Sequence, residues 1–150
     1  MGQRGFWDEQ QRVSKLQEKP ILKQLSELIS WESFCPLLDQ WYVLEQKSKA
    51  RRKRIDPLTL FKMLVLQQLF NISDEELEYQ VNDRRSFEEF VGLGLMNSIP
   101  DATTVAFFRE RLRKAGVIDE LFEMFEIYLR FQGLQARGGQ IIDATFVPVP

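Results

Sequence analysis

Apolar residues in this chain fall into short stripes separated by polar breaks, and nearly every stripe has the three-and-four spacing of a helix buried along one side. Residues 8–18 are polar and only weakly amphipathic, with little to bury. After Pro20, the recurrence of Ile21, Leu22, Leu25, Leu28 and Ile29 predicts a short helix packed inward. Pro36 opens a second pattern, with Leu37, Leu38, Trp41, Tyr42 and Leu44 on its inner side, which fades into a basic run that reads as a loop. Asp56 is a good N-cap and Pro57 suits the first helical position, so LTLFKMLVLQQLF, apolar on nearly all sides, predicts a buried central helix. Asn71 and Ile72 connect it to a helix begun by Ser73 and Glu76 at capping-box spacing, with Leu77 and Val81 inward. Ser86 is then expected to cap a short segment carrying Phe87, Phe90 and Val91, ended by Gly92 and Gly94.

Ile99, Pro100 and Asp101 stop the chain and restart it. With Asp101 or Thr103 as cap, TVAFFRERLRKAG predicts a helix ending at Gly116, Val105, Phe108 and Leu112 facing inward and Arg109, Arg111, Arg113 and Lys114 making the other side basic. Ile118–Gln132 predicts a long helix whose wide apolar side holds Leu121, Phe122, Phe125, Tyr128, Leu129 and Phe131, closed by Gly133. The period changes after Gly138 and Gly139, where QIIDATFV has high β propensity before Pro148 and Pro150. It is the single strand expected, and residues 138–150 should pack poorly, because a lone strand leaves backbone groups unpaired. The fold class that follows is mainly α: a helical bundle with a helix-turn-helix-like segment from Asp56 to Val91, ending in one strand.

Composition narrows the chemistry. At 150 residues the chain buries a core without disulfides or structural metal. Cys35 is the only cysteine, which excludes an internal disulfide and Cys-x-x-Cys motifs. Histidine is absent, which excludes His-assisted nucleophiles and imidazole metal ligands and leaves carboxylates as the metal-binding option. No eighteen-residue apolar run occurs, and MGQRGFWDEQ carries charge where a signal peptide places its apolar segment; a cytoplasmic protein without a membrane span is expected.

Net charge is −2, yet the charges are segregated. From Lys47 through Lys49, Arg51, Arg52, Lys53 and Arg54, KSKARRKR holds six positive charges and no acid, whereas seven carboxylates lie between Asp74 and Glu89. Such a basic run neutralises phosphates and gives salt-dependent DNA affinity, or is simply a solvated loop. The Thr103–Gly116 helix, through Arg109, Arg111, Arg113 and Lys114, either tracks DNA or presents a balanced solvent side. It is the better reader of DNA, because the helix that starts at Ser73 is acidic and repels phosphate. Asp143 stands apart: between Ile142 and Ala144 in an apolar strand, a carboxylate is expensive unless paired, hydrogen-bonded or cation-bound, or else at an edge or turn.

Three motifs in order, RIDPLTLFKMLVLQQLFNISDEELEYQVNDRRSFEEFVGL, IPDATTVAFFRERL and GGQIIDATFVPVP, resemble the N-terminal portion of bacterial insertion-sequence transposases of the DDE type, in the group typified by insertion sequence five. The resemblance runs from about Phe6 to Pro150. It implies that the helical region binds the element's terminal inverted repeats and supports assembly, as a homo-oligomer or with full-length transposase. It also implies that IIDAT is the first strand of a ribonuclease-H-like domain and that Asp143 is the first of three acids holding Mg²⁺, the ions that activate a hydroxyl and stabilise the leaving oxygen. On this view residues 1–137 form the DNA-binding and assembly domain and 138–150 the start of a truncated catalytic domain. With one acid of three, the segment is expected to be inactive alone. Two rival readings are a truncated regulator that inhibits transposition and a helical protein-interaction module without a DNA role, the latter suggested by the acidic pI and abundant Phe.

Overall fold

The computed structural model describes residues 21–46, 55–92, 99–137 and 140–143, with the backbone alone described for 41–46 and from 136 onward. Seven α-helices and one 3-10 turn make up most of these residues: α1 (Ile21–Leu28), the 3-10 turn (Trp31–Phe34), α2 (Cys35–Gln46), α3 (Pro57–Phe70), α4 (Asp74–Asp83), α5 (Arg85–Val91), α6 (Ala102–Lys114) and α7 (Ile118–Phe131). A hairpin of β1 (Leu134–Arg137) and β2 (Gln140–Asp143) follows. The mainly helical bundle read from the sequence is the fold.

α3 is its axis. Asp56 accepts a hydrogen bond from the Leu58 N–H at 2.9 Å, Pro57 needs no N–H in the first turn, and the helix then buries Thr59, Leu60, Phe61, Met63, Leu64, Val65, Leu66 and Leu69. A helix apolar all round has to be surrounded, and α2, α4, α5 and α6 all pack on it. It ends at Asn71 in the left-handed conformation (φ 52°), with the Ile72 N–H reaching back to the Gln67 carbonyl at 3.2 Å. Two residues later Ser73 caps α4 by accepting from the Glu76 N–H at 3.1 Å. The Glu76 carboxylate accepts from Gln80 at 2.6 Å.

Aromatic rings lock the bundle together. Trp31, delivered by a 3-10 turn that the apolar pattern did not reveal, packs against Phe34 (5.7 Å between centroids), Phe61 (6.4 Å), Phe90 (5.3 Å) and Phe125 (5.9 Å). Its indole N–H donates to the Leu25 carbonyl at 3.1 Å, so burying this polar edge leaves no lost hydrogen bond. The Tyr128 hydroxyl and Ser33 Oγ meet at 2.6 Å, tying α7 to the 3-10 turn. Phe34, Phe61, Phe87, Phe90, Phe108 and Phe125 are buried and Phe70 and Phe122 pack against them, so most of the phenylalanine among the described residues serves the core.

Several boundaries differ from expectation. α5 begins at Arg85 after an extended Arg84 (φ −102°, ψ 120°) with no side-chain cap, and Ser86 lies inside its first turn. Asp101, not Thr103, caps α6. Phe131 is 82% exposed, because the inner stripe of α7 runs through Leu121, Phe125 and Leu129 and the last residue turns away from it. The C-terminal strand is not alone: β2 pairs antiparallel with β1, Leu134 opposite Asp143 and Arg137 opposite Gln140, which satisfies its inner-edge backbone groups. Residues 8–18, the basic run at 47–54, Gly94 and residues 144–150 lie outside the described residues, as do the side chains of Trp41, Tyr42 and Leu44.

Candidate nucleic-acid interface

Four of the ten candidate DNA-contacting residues lie on α6, and that helix is fixed at several points. At its N-terminus Asp101 accepts from the Thr104 N–H at 2.7 Å, and hydrogen bonding from the Thr104 side chain first and its backbone second holds the Asp101 carboxyl below the usual aspartate range. Glu78 of α4 accepts from the Ala102 N–H at 2.6 Å. Two of the four N–H groups that a helix start leaves orphaned are thus satisfied by carboxylates, which also suit the positive end of the helix dipole. At its C-terminus Gly116 (φ 73°) takes the left-handed turn, the Val117 N–H returning to the Leu112 carbonyl at 3.1 Å.

Midway along the helix, Arg109 makes a two-pronged pair with Asp74 at the start of α4, Nη1 to Oδ1 at 2.7 Å and Nη2 to Oδ2 at 2.9 Å. Gln67 of α3 closes the network, accepting from Arg109 at 2.7 Å and donating to Asp74 at 2.6 Å. The Arg109 hydrogen bond dominates in holding the Asp74 carboxyl below its ordinary range, against the opposing effect of burial. One side chain from each of three helices meets here, and the contact sets the height of α6 against α3 and α4. Arg109, one of the residues expected to contact DNA, thus has its planar fork engaged by a carboxylate and an amide at a half-buried position.

The remaining side chains of α6 divide cleanly by angle. Val105, Phe108 and Leu112 are buried. On the opposite side Thr103, Phe107, Glu110 and Lys114 form an outward stripe, flanked by Arg111 and Arg113. Phe107 is 47% exposed although its neighbour Phe108 is buried. The Arg111 guanidinium lies over the Phe107 ring, 4.9 Å from its centroid, and Arg113 pairs with Glu110 at 3.1 Å. Phe107 and Glu110 were not singled out from sequence; their position half a turn from Val105, Phe108 and Leu112 is the signal that places them outward.

The acids of α4 are less available than their number suggests. Asp74 is held by Arg109 and Glu78 by α6, which leaves Glu75, Glu76 and Asp83 exposed. Lys47, Lys49, Arg51, Arg52, Lys53 and Arg54 lie outside the described residues. Asp143 is the last residue of β2, and that strand runs beside α3. Among the described residues no three Cys, His, Asp or Glu side chains gather as metal ligands, and no helix is long and apolar enough to cross a membrane.

Residues 10–111 match the family described as Transposase domain (DUF772), a span that holds α1 to α5 and all but the last turn of α6. No solved structure matches the chain.

Proposed function

The chain belongs to the transposase-domain family DUF772, and from that premise we propose that its helical body binds DNA at the terminal inverted repeats of a mobile element, as the N-terminal segment of a DDE transposase of the insertion sequence five group. The observation that carries this reading is the division of labour on α6. Carboxylates of α4 hold its N-terminus and Arg109, while the side turned from the core presents Arg111, Arg113 and Lys114. Positive charge on a firmly positioned helix is what a polyanion recognises, through phosphate contacts that release counterions. The six charges of Lys47–Arg54 add a second run of positive charge to a chain that is acidic overall.

Asp143 is proposed as the first metal-holding acid of the catalytic fold, on the strength of IIDAT and of its place in a paired strand. The described residues do not themselves gather a Mg²⁺ site, since one strand carboxylate binds this ion weakly.

The test is fluorescence anisotropy with duplexes taken from the DNA flanking the coding sequence, alongside scrambled duplexes of equal length. Binding is expected at low salt, with log affinity falling against log salt by about 0.9 for each phosphate contacted. Exchange of Arg51, Arg52, Lys53 and Arg54 for Gln should weaken both affinity and slope. No binding at low salt, or no response to that exchange, overturns the proposed contacts.

A further inference from the structure

We propose that the outward stripe of α7 is a self-association surface, on which the same stripe of a second copy of this chain lies antiparallel with Ile127 at the two-fold axis; this does not depend on the DNA-binding reading above. With Leu121, Phe125 and Leu129 buried, the opposite side of α7 carries Glu120, Glu123, Ile127, Arg130 and Phe131, all exposed, and half-buried Met124 at its edge. Outward positions of a helix normally hold polar side chains, yet Ile127 is 41% exposed and Phe131 82%. Leu28, also 41% exposed, stands near them, because the Gln132 amide just after α7 donates to the Leu28 carbonyl at 3.4 Å. Three of the five large apolar side chains exposed among the described residues thus lie around the C-terminal half of α7. Grouped exposure of this kind marks a surface that another protein covers.

The charges on the stripe decide which partner fits. Its N-terminal half is acidic through Glu120 and Glu123, and its C-terminal half carries Arg130. Arg130 reaches Glu126 of its own helix only at 4.0 Å, and both side chains are more than half exposed, so that pair is worth little in water. A parallel second copy would set glutamate against glutamate and Arg130 against Arg130. Turned end for end about Ile127, the stripe complements itself: positions equally far on either side of 127 face each other, which places Phe131 opposite Glu123 of the second copy and Arg130 opposite its Met124. Each ring then covers the apolar stem of a glutamate, and each guanidinium lies over the acidic half of the other helix, within one turn of Glu120. The two-fold axis makes every such contact twice, and antiparallel helix dipoles add to the match. A polyanion does not fit here, since Asp119, Glu120, Glu123 and Glu126 outnumber Arg130 on this helix. One helix stripe with few apolar side chains falls at the small end of specific interfaces, so the pairing is reversible.

The experiment is analytical ultracentrifugation of the full chain over a range of concentrations, without DNA. The wild-type chain should show a monomer–dimer equilibrium. Ile127→Asp and Phe131→Asp should each raise its dissociation constant by at least about 10-fold, as loss of a central apolar anchor does. Both positions are exposed, so circular-dichroism melting of these variants should match wild type. A charge exchange tests the orientation without touching the apolar residues. Arg130→Glu alone should weaken the dimer, and adding Glu120→Lys and Glu123→Lys to it should restore association, because the acidic and basic halves have then traded places. A chain that stays monomeric at every concentration overturns the proposal and leaves the stripe to a different partner. So does a dimer that both aspartate variants leave unchanged, which would place the interface on another face. A triple charge variant that associates no better than Arg130→Glu overturns the antiparallel pairing.

Discussion

A guanidinium held by internal acceptors is less open to phosphate than its place in the sequence suggests, and Arg109 is such a residue. Spacing alone groups it with Arg111, Arg113 and Lys114, but Asp74 and Gln67 fill its fork. Asp74→Asn should therefore destabilise the fold by about 1–2 kcal/mol at neutral pH, the range for a charge-assisted hydrogen bond discounted for partial exposure. The pH dependence has a definite sign. The folded carboxyl is held below its ordinary value of 3.8, so the pair's contribution is fully present above that value and is lost as pH falls through the folded one. Urea midpoints of wild type and Asp74→Asn should differ constantly between pH 7 and 5 and converge at more acid pH; a gap that widens there contradicts this account. Lys62 works the other way. Its amine rests 5.3 Å from the Trp31 ring centroid and 6.0 Å from that of Phe90, and burial pushes its pKa below the ordinary 10.5. Between the folded and the ordinary value the unfolded chain binds more protons, so stability rises with pH across that window. Lys62→Met should raise the urea midpoint at pH 7 and lose that advantage near pH 10.5; a lowered midpoint at pH 7 would mean that the ring contacts outweigh desolvation.

At the scale of elements, most of the helical pattern is readable because caps and core period agree. Asp56, Ser73 and Asp101 each accept from a backbone N–H within three residues, a local interaction that sequence spacing encodes directly. What escaped has a long-range cause. The 3-10 turn at Trp31–Phe34 is too short for periodicity, and its Trp31 is buried by rings from α3, α5 and α7. β1 is formed by LQAR, whose composition carries no strand signal, and it exists as the partner of β2. The α6 anchors join residues 24 to 42 positions apart, so no local window contains them. The outward stripe of α6 was half legible: its cations and the angular place of Phe107 stand in the sequence, whereas the engagement of Arg109 depends on where α4 sits. A prediction belongs to this scale. Asp101→Ala removes the cap but leaves Glu78 on the Ala102 N–H, so it should cost about 1 kcal/mol and keep α6 helical. Asp101→Ala with Glu78→Ala should cost clearly more and speed amide exchange in the first turn of α6, read by hydrogen–deuterium exchange; equal exchange in the single and double variants would show that Glu78 does not hold the helix.

For the whole molecule, the folding unit is larger than the span that defines the family. That span stops at residue 111, before α7, yet α7 contributes Leu121, Phe125 and Leu129 to the buried core and lays Phe125 against Trp31. Phe122 packs on Phe61 at 5.6 Å, and Tyr128 reaches Ser33 across 95 residues of chain. Burial of three large apolar side chains is worth roughly 5–9 kcal/mol, comparable with the 5–15 kcal/mol that holds an ordinary domain folded. A fragment of residues 1–116 keeps α1 through α6 but uncovers Trp31, Phe34 and Phe61 on one side. It should retain much of its far-ultraviolet helical signal, lose the near-ultraviolet signal of packed aromatics, bind a hydrophobic dye and unfold in urea without a sharp transition. The full chain should unfold in one step by both signals, since a single hydrophobic cluster joins α1 to α7. A cooperative transition in the fragment at the midpoint of the full chain would show that α7 is an attachment to the bundle and not a wall of its core.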